Sequence, residues 1–254
     1  MALLEVEGLR VEFGGITALS DLSFGVESGQ ICALIGPNGA GKTTLFNCVS
    51  RLYQPTRGAI RFDGQDLVRF APSKIARFGI ARTFQNLALF PALTVLENVM
   101  TGAYFRSRAG AVQAALWSPF VFRDERDLRM RANDLLTRLS LDHLANRRAA
   151  ALPYGTLKRI EIARALAVDP RMLMLDEPAA GLTHSEVDEL GLTIQALRDE
   201  FDLTILLVEH HMAMVMGISD HVVVLDFGSK IAEGLPAEIR DNPLVIEAYL
   251  GTTE

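Results

Sequence analysis

In Ile31-Cys32-Ala33-Leu34-Ile35-Gly36-Pro37-Asn38-Gly39-Ala40-Gly41-Lys42-Thr43-Thr44 an apolar run of strand character ends at a glycine. A glycine-rich turn follows, and Lys42-Thr43-Thr44 opens a helix. The spacing is G-x-x-x-x-G-K-[ST], set between a strand and a helix, which is the context a phosphate-binding loop requires. Gly36, Gly39 and Gly41 let the backbone curl so that successive N–H groups point inward at phosphate oxygens. The helix beginning near Lys42 aims its positive end at the same place. Lys42 supplies a mobile charge for the outer phosphates of a nucleotide, and the Thr43 hydroxyl is placed to ligate Mg²⁺.

The chain has 254 residues, 49% hydrophobic and 22% charged, enough for one large domain or two closely packed lobes. A net charge of -6 argues against nucleic acid as the main partner, because phosphate backbones select for basic surfaces. No apolar run reaches the roughly 18 residues that span a bilayer. The opening residues already carry Glu5 and Glu7, unlike a signal peptide. Cys32 and Cys48 flank the loop on a buried strand and its helix, and read as small core residues of a reducing compartment. A cytosolic nucleotide-binding protein is expected.

Outward from the loop, Leu3 to Phe13 alternates as a half-exposed strand, Gly14-Gly15 breaks it, and Leu22 to Val26 is a second short strand. Gly58 to Phe62 with Asp63-Gly64 reads as strand and hairpin turn, so an antiparallel β element surrounds the loop. Pro72 suits the first position of a short helix to Phe78. Thr94-Val-Leu-Glu97 is a capping box, and the apolar spacing of Leu128, Leu135, Leu136, Leu139 and Leu144 is helical. Ala151 to Gly155 reads as a loop before a helix from Thr156 to Val168. Residues 85–168 form a mainly helical lobe in this reading, and residues 1–84 with 169–254 form the α/β core.

Arg171 to Leu175 is a buried strand that stops at Asp176 and Glu177. A strand ending in two carboxylates delivers them to the C-terminal edge of a parallel sheet, where ligands bind in α/β folds. The first carboxylate holds Mg²⁺; the second polarises a water as general base, typically worth about 10²–10⁴-fold in rate. Leu203 to Val208 is a further buried strand, ending at Glu209-His210-His211. The run has the composition of a metal cluster, but neighbouring residues leaving a strand point different ways, which disfavours that reading.

From Leu3 onward the chain resembles the ATP-binding subunit of an ABC transporter. The resemblance implies an α/β P-loop ATPase fold with an N-terminal antiparallel β subdomain and a helical subdomain. It places the residues of Gly36–Thr44 (Gly36, Pro37, Asn38, Gly39, Ala40, Gly41, Lys42, Thr43, Thr44) around ATP, and Asp176 and Glu177 at Mg²⁺ and the attacking water. Gln85 matches the glutamine that links Mg²⁺ and that water to the membrane partner. His210 matches the switch histidine at the γ-phosphate, and Phe13 the aromatic residue that stacks on adenine. Residues 179–183 match the loop that touches the other subunit. Leu152-Pro153-Tyr154-Gly155-Thr156 matches the family signature, usually Leu-Ser-Gly-Gly-Gln, which binds the γ-phosphate held by the opposite subunit. The implied assembly is a head-to-tail dimer, with itself or a paralogous ATPase, bound to integral membrane permeases at the cytoplasmic face of the membrane.

The signature is where the sequence departs most. Pro153 offers neither hydroxyl nor N–H to a phosphate, so the contact across the dimer rests on Gly155, Thr156 and their helix N-terminus. Weaker ATP-driven dimerisation than with serine at position 153 is expected. Tyr-Gly in the signature, Glu-His in the switch loop and the ending from Glu238 to Gly251 resemble the ATPases of branched-chain amino acid importers. The ATPase of lipopolysaccharide export and the importers of urea and other amides share parts of this pattern. The excursion from Tyr104 to Arg131 fits the larger ATPase of the amino acid importer and reads chiefly as a helix with a solvated charged face. A soluble kinase or GTPase is disfavoured by the signature loop and the lack of an Asn-Lys-x-Asp motif. A non-transport clamp is disfavoured by the single ATPase half.

Overall fold

The computed structural model describes residues 2–85, 87–104 and 119–250. Much of the excursion expected from Tyr104 to Arg131 therefore lies outside the described residues. Two compact units are present, residues 1–82 with 171–254 and residues 83–170.

The first unit holds two sheets. β1 (Ala2–Phe13), β2 (Ile16–Glu27), β4 (Arg57–Phe62) and β5 (Gln65–Asp66) form an antiparallel sheet in the order β2-β1-β4-β5. The larger sheet runs β10-β9-β3-β8-β7-β6, from β3 (Ile31–Ile35), β6 (Ile80–Arg82), β7 (Met172–Asp176), β8 (Thr204–Val208), β9 (His221–Asp226) and β10 (Ser229–Gly234). Its strands are parallel except β10, which is antiparallel to β9. Every residue of β3, β7 and β8 is buried, as continuous apolar runs require of strands covered on both faces.

Alternation divides the core. Cys32, Leu34, Met174, Leu206 and Val223 face helix α1 (Lys42–Val49) and the antiparallel sheet. Ala33, Ile35, Val222 and Val224 face Val215, Ile239 and Val245. These last three belong to α6 (Met212–Ile218), α7 (Pro236–Arg240) and α8 (Pro243–Leu250). Helix α5 (His184–Phe201) joins β7 to β8. The Glu186 carboxylate accepts hydrogen bonds from the Thr183 N–H and hydroxyl at its start.

The second strand begins at Ile16, six residues before the sequence placed it. Its alternation is hidden by irregular pairing: the register shifts between Val6 and Leu9, where Gly8 has φ 52°, and again between Leu9 and Val11, opposite Asp21 at φ 53°. A bulge moves polar residues onto positions that strict alternation reserves for apolar ones.

The second unit contains α2 (Val95–Ala103), α3 (Pro119–Arg138) and α4 (Tyr154–Leu166). Thr94 and Glu97 form the expected capping box on α2. Leu128, Leu135, Leu136 and Leu139 are buried. At Gly102 an added Cβ would lie 2.0 Å from the Arg164 carbonyl oxygen, so α2 and α4 pack with no side chain between them there. Helix α4 begins at Tyr154, two residues before the sequence placed it. Pro153 is its N-cap, and its carbonyl accepts the Leu157 N–H at 3.1 Å. Among the described residues no helix is long and apolar enough to cross a membrane.

Candidate functional site

β8 lies between β3 and β7, with Val208 level with both Leu34 and Asp176. That register brings three chain segments to one sheet edge: the loop from Gly36 to Thr44, the acid pair Asp176-Glu177, and Glu209-His210-His211.

The loop is built around its glycines. Gly36 has φ 147°, and a Cβ there would meet the Leu225 carbonyl oxygen at 2.0 Å. Gly41 has φ 101° and caps α1 without a side-chain hydrogen bond, so the helix's first amides stay directed into the loop. The Gly228 N–H donates to the Ala40 carbonyl at 3.1 Å, and the Gly228 carbonyl accepts the Ser20 N–H at 2.8 Å. The hairpin between β9 and β10 thereby holds the loop against β2. Inside the curl, the Lys42 ammonium donates to the Gly36 and Pro37 carbonyls at 2.6 and 2.9 Å. Burial pushes the Lys42 pKa down; the carboxylates of Glu177 and Asp176 oppose that shift. Thr43 is exposed at the start of the helix.

Asp176 is buried and accepts a 2.7 Å bond from Arg82 Nη2. Arg82 Nη1 donates to Asn47 Oδ1 at 2.8 Å and Ser50 Oγ at 3.2 Å, and the guanidinium lies over the Phe46 ring. Sequence reasoning passed over Arg82. The signal was an arginine ending a buried strand, which demands a buried partner. Glu177 follows with φ 47°, its N–H bonded to the Val208 carbonyl at 2.9 Å.

Beyond β8, Glu209 is buried while the His210 side chain is 56% exposed. The two histidine rings lie 4.7 Å apart, tilted by 30°. They do not diverge as the sequence argument held: ligand atoms of Glu209, His210 and His211 lie within 4.8 Å of one another. Phe13 ends β1 half-exposed, edge-on to Tyr53 with ring centroids 5.1 Å apart. The C-terminal helix α8, which no loop motif announces, reaches the same region. The Tyr249 hydroxyl is bonded to the Gly36 backbone, and a cavity of about 500 Å³ is lined by Asn38, Gly39, Phe227, Leu244 and Glu247.

The remaining site candidates belong to the second unit. The Gln85 carbonyl accepts a 3.2 Å bond from the Lys158 ammonium. Glu161, on the same helix, accepts the N–H groups of Phe84 and Ala88. Arg164 donates to the Ala88 carbonyl. Lys158, Glu161 and Arg164 thus fasten the segment that carries Gln85. Tyr154, Gly155 and Thr156 form the first turn of that helix, where backbone N–H groups have no partner within the helix. The Lys158 ammonium sits over the Tyr154 ring, 5.7 Å from its centroid.

An arrangement of curled amides, a buried lysine and a carboxylate pair can hold a polyphosphate and direct a water at it. Comparison with known proteins agrees. Residues 19–180 match the ABC transporter family, and residues 229–254 match the branched-chain amino acid ATP-binding cassette transporter family. The chain is 47% identical to the high-affinity branched-chain amino acid transport ATP-binding protein BraF of Pseudomonas aeruginosa, over 98% of each chain. It is 45% identical to LivG of Escherichia coli, a protein described in the same words, again over 98% of each. Among solved structures it is similar to an ATP-binding cassette of an ABC transporter in its ADP conformation, at 30% identity and a TM-score of 0.86 over 99% of each chain. The chain belongs to the ABC transporter family, as one of its ATP-binding cassettes.

Proposed function

We propose that this chain hydrolyses ATP to drive import of branched-chain amino acids. In this reading it works as one half of a head-to-tail dimer against permease subunits at the cytoplasmic face of the membrane. The observation that carries the reading is the likeness to BraF and LivG along nearly the whole chain, which extends through the C-terminal segment beyond the nucleotide-binding motifs.

The Lys42 ammonium exchanges two neutral carbonyls for the charged outer phosphates, while the amides of residues 36–44 and the start of α1 surround them. Phe13 offers a half-exposed aromatic face to adenine. The Thr43 hydroxyl and the Asp176 carboxylate are hard oxygen donors, the set that suits Mg²⁺. When bound, that ion neutralises phosphate charge. Arg82 fixes the Asp176 carboxylate from behind. Glu177 takes the proton of the attacking water, and the exposed His210 ring approaches the γ-phosphate from the loop after β8. The amides of Gly155 and Thr156 meet the nucleotide held by the opposite subunit, with Tyr154 beside them.

Three experiments test this. Glu177→Gln is expected to keep ATP binding and to lose about 10²–10⁴-fold in turnover; near-normal turnover removes Glu177 from that role. Adding Pro153→Ser to Glu177→Gln should strengthen ATP-dependent dimer formation in sedimentation or size-exclusion measurements, and an unchanged ATP requirement counts against the signature argument. Cargo is tested by co-purification. Two polytopic permeases with a second ATPase support amino acid import, whereas export subunits with two copies of this chain redirect the reading to lipopolysaccharide.

A further inference from the structure

Glu209 has a buried carboxylate whose two oxygens serve two different loops. Oε1 accepts the Ala179 N–H at 2.8 Å. Oε2 accepts the N–H groups of His210 and His211 at 2.8 and 3.1 Å, and lies 3.0 Å from His211 Nδ1. Ala179 stands two residues beyond Glu177, and the Glu177 N–H is bonded to Val208, the residue before Glu209. Two crossing ties therefore join residues 177–179 to residues 208–211, past the point where the β7–β8 ladder ends.

Those ties have something to hold. Glu177 sits at φ 47°, in the left-handed region that a non-glycine residue occupies at a cost of order 1–3 kcal/mol. A strained residue keeps one conformation only where its surroundings over-determine it, and the bonds at Glu177 N and Ala179 N bracket it. On the other side, Glu209 gathers two consecutive amides and so fixes the direction in which His210 leaves the strand. The cluster of Glu209, His210 and His211 has the spacing of a metal site. Its carboxylate, however, already accepts from three backbone amides and lies at hydrogen-bonding distance from one imidazole, so its lone pairs are committed.

We infer that Glu209 is a positioning residue for hydrolysis: one carboxylate sets the placement of Glu177 relative to His210. The inference rests on the roles proposed above for those two residues. It makes the rate of the chemical step depend on Glu209, while nucleotide affinity, which resides in the loop from Gly36 to Thr44, does not.

The test uses the full-length chain with its membrane partners, and compares wild type, Glu209→Gln, Glu209→Asp and Glu177→Gln. Glutamine puts an NH₂ donor where a carboxylate oxygen accepted, so one of the two loops loses its tie in either amide orientation. A displacement near 1 Å at a reacting group costs about 10²-fold, so kcat of Glu209→Gln should fall by about that factor. KM and equilibrium ATP binding should stay within about twofold. Glu209→Asp keeps the charge at shorter reach and should recover part of kcat. An unchanged kcat in Glu209→Gln overturns the inference, as does a rise in KM or loss of ATP binding that accounts for the whole defect. If Glu209→Gln fails to fold, Glu209→Asp decides alone: an unchanged kcat overturns the inference, and a reduced kcat at unchanged KM supports it. Glu177→Gln separates the two claims. Turnover in that variant refutes the role of Glu177 itself, whereas its inactivity beside a fully active Glu209→Gln refutes only the positioning role.

Discussion

Among the described residues each unit buries one glutamate almost completely, and the pKa values of the two are displaced in opposite directions. Glu209, at the sheet edge, and Glu161, in the helical unit, each leave 1% of their surface exposed. Burial raises both. At Glu209 the hydrogen bonds from His211, Ala179 and His210 outweigh it and leave the carboxyl below its ordinary value. At Glu161 burial wins and the carboxyl lies above. The amides reaching Glu161 stand at 3.3 and 3.5 Å, and its partner Arg164 at 3.7 Å, whereas the bonds at Glu209 run from 2.8 to 3.1 Å. Burial alone does not decide whether a carboxylate stays charged. A few tenths of an ångström in its donors can.

The contrast can be broken most forcefully at a third buried carboxylate. Arg82→Met leaves Asp176 buried without this guanidinium and should cost about 3–5 kcal/mol in urea unfolding; a cost below about 1 kcal/mol would mean that the remaining neighbours of Asp176 and water suffice. Next comes acid. The folded pKa of Glu209 lies below the unfolded value of about 4.3, so its contribution is complete above that pH and is lost as the pH falls through the folded pKa. The stability gap between wild type and Glu209→Gln should therefore narrow on acidification. Glu161 runs the other way. Its folded pKa lies above the unfolded value, so the chain loses stability as the pH rises from about 4.3 through the folded pKa. Glu161→Gln should remove that slope and cost only about 1 kcal/mol, because its weak hydrogen bonds are the ones replaced. Thermal melts of the two variants from acid to neutral pH distinguish the cases: parallel slopes would end the comparison. A similarly small effect, with no dependence on pH near neutrality, is expected on the exposed side of the helical unit, where Thr94→Ala removes the cap of α2 for about 1 kcal/mol.

The same contrast explains what could be read from the sequence. Fully buried parallel strands announce themselves as unbroken apolar runs, so β3, β7 and β8 and the residues at their ends were visible, with the glycines of the phosphate loop between β3 and α1. The ABC family followed from these together with the signature and switch residues. The buried ties of Arg82, Glu209, Lys158 and Glu161 were not visible, because a charged residue beside a strand end or within a helix looks solvated until its buried partner is known. The extent of β2 was hidden by a bulge at Asp21. The start of α4 was hidden by Pro153, which looks like a loop residue yet is well suited to precede a first helical turn.

The two strands that flank the helical unit in the chain, β6 and β7, are hydrogen-bonded neighbours, Ile80 opposite Met172, and the Gly79 carbonyl accepts the N–H groups of both Arg171 and Met172. The entire unit from Thr83 to Pro170 is thus the crossover between adjacent parallel strands. Closing so long a connection from an unfolded chain is slow, since the pairing is rewarded only after the entropy of closure has been lost. A helical unit that condenses first brings the ends of β6 and β7 within reach. Where the unit is inserted thus predicts an order of folding, the helices before the pairing of β6 with β7, which pulsed hydrogen exchange would read as earlier protection in α2 and α4 than in β6.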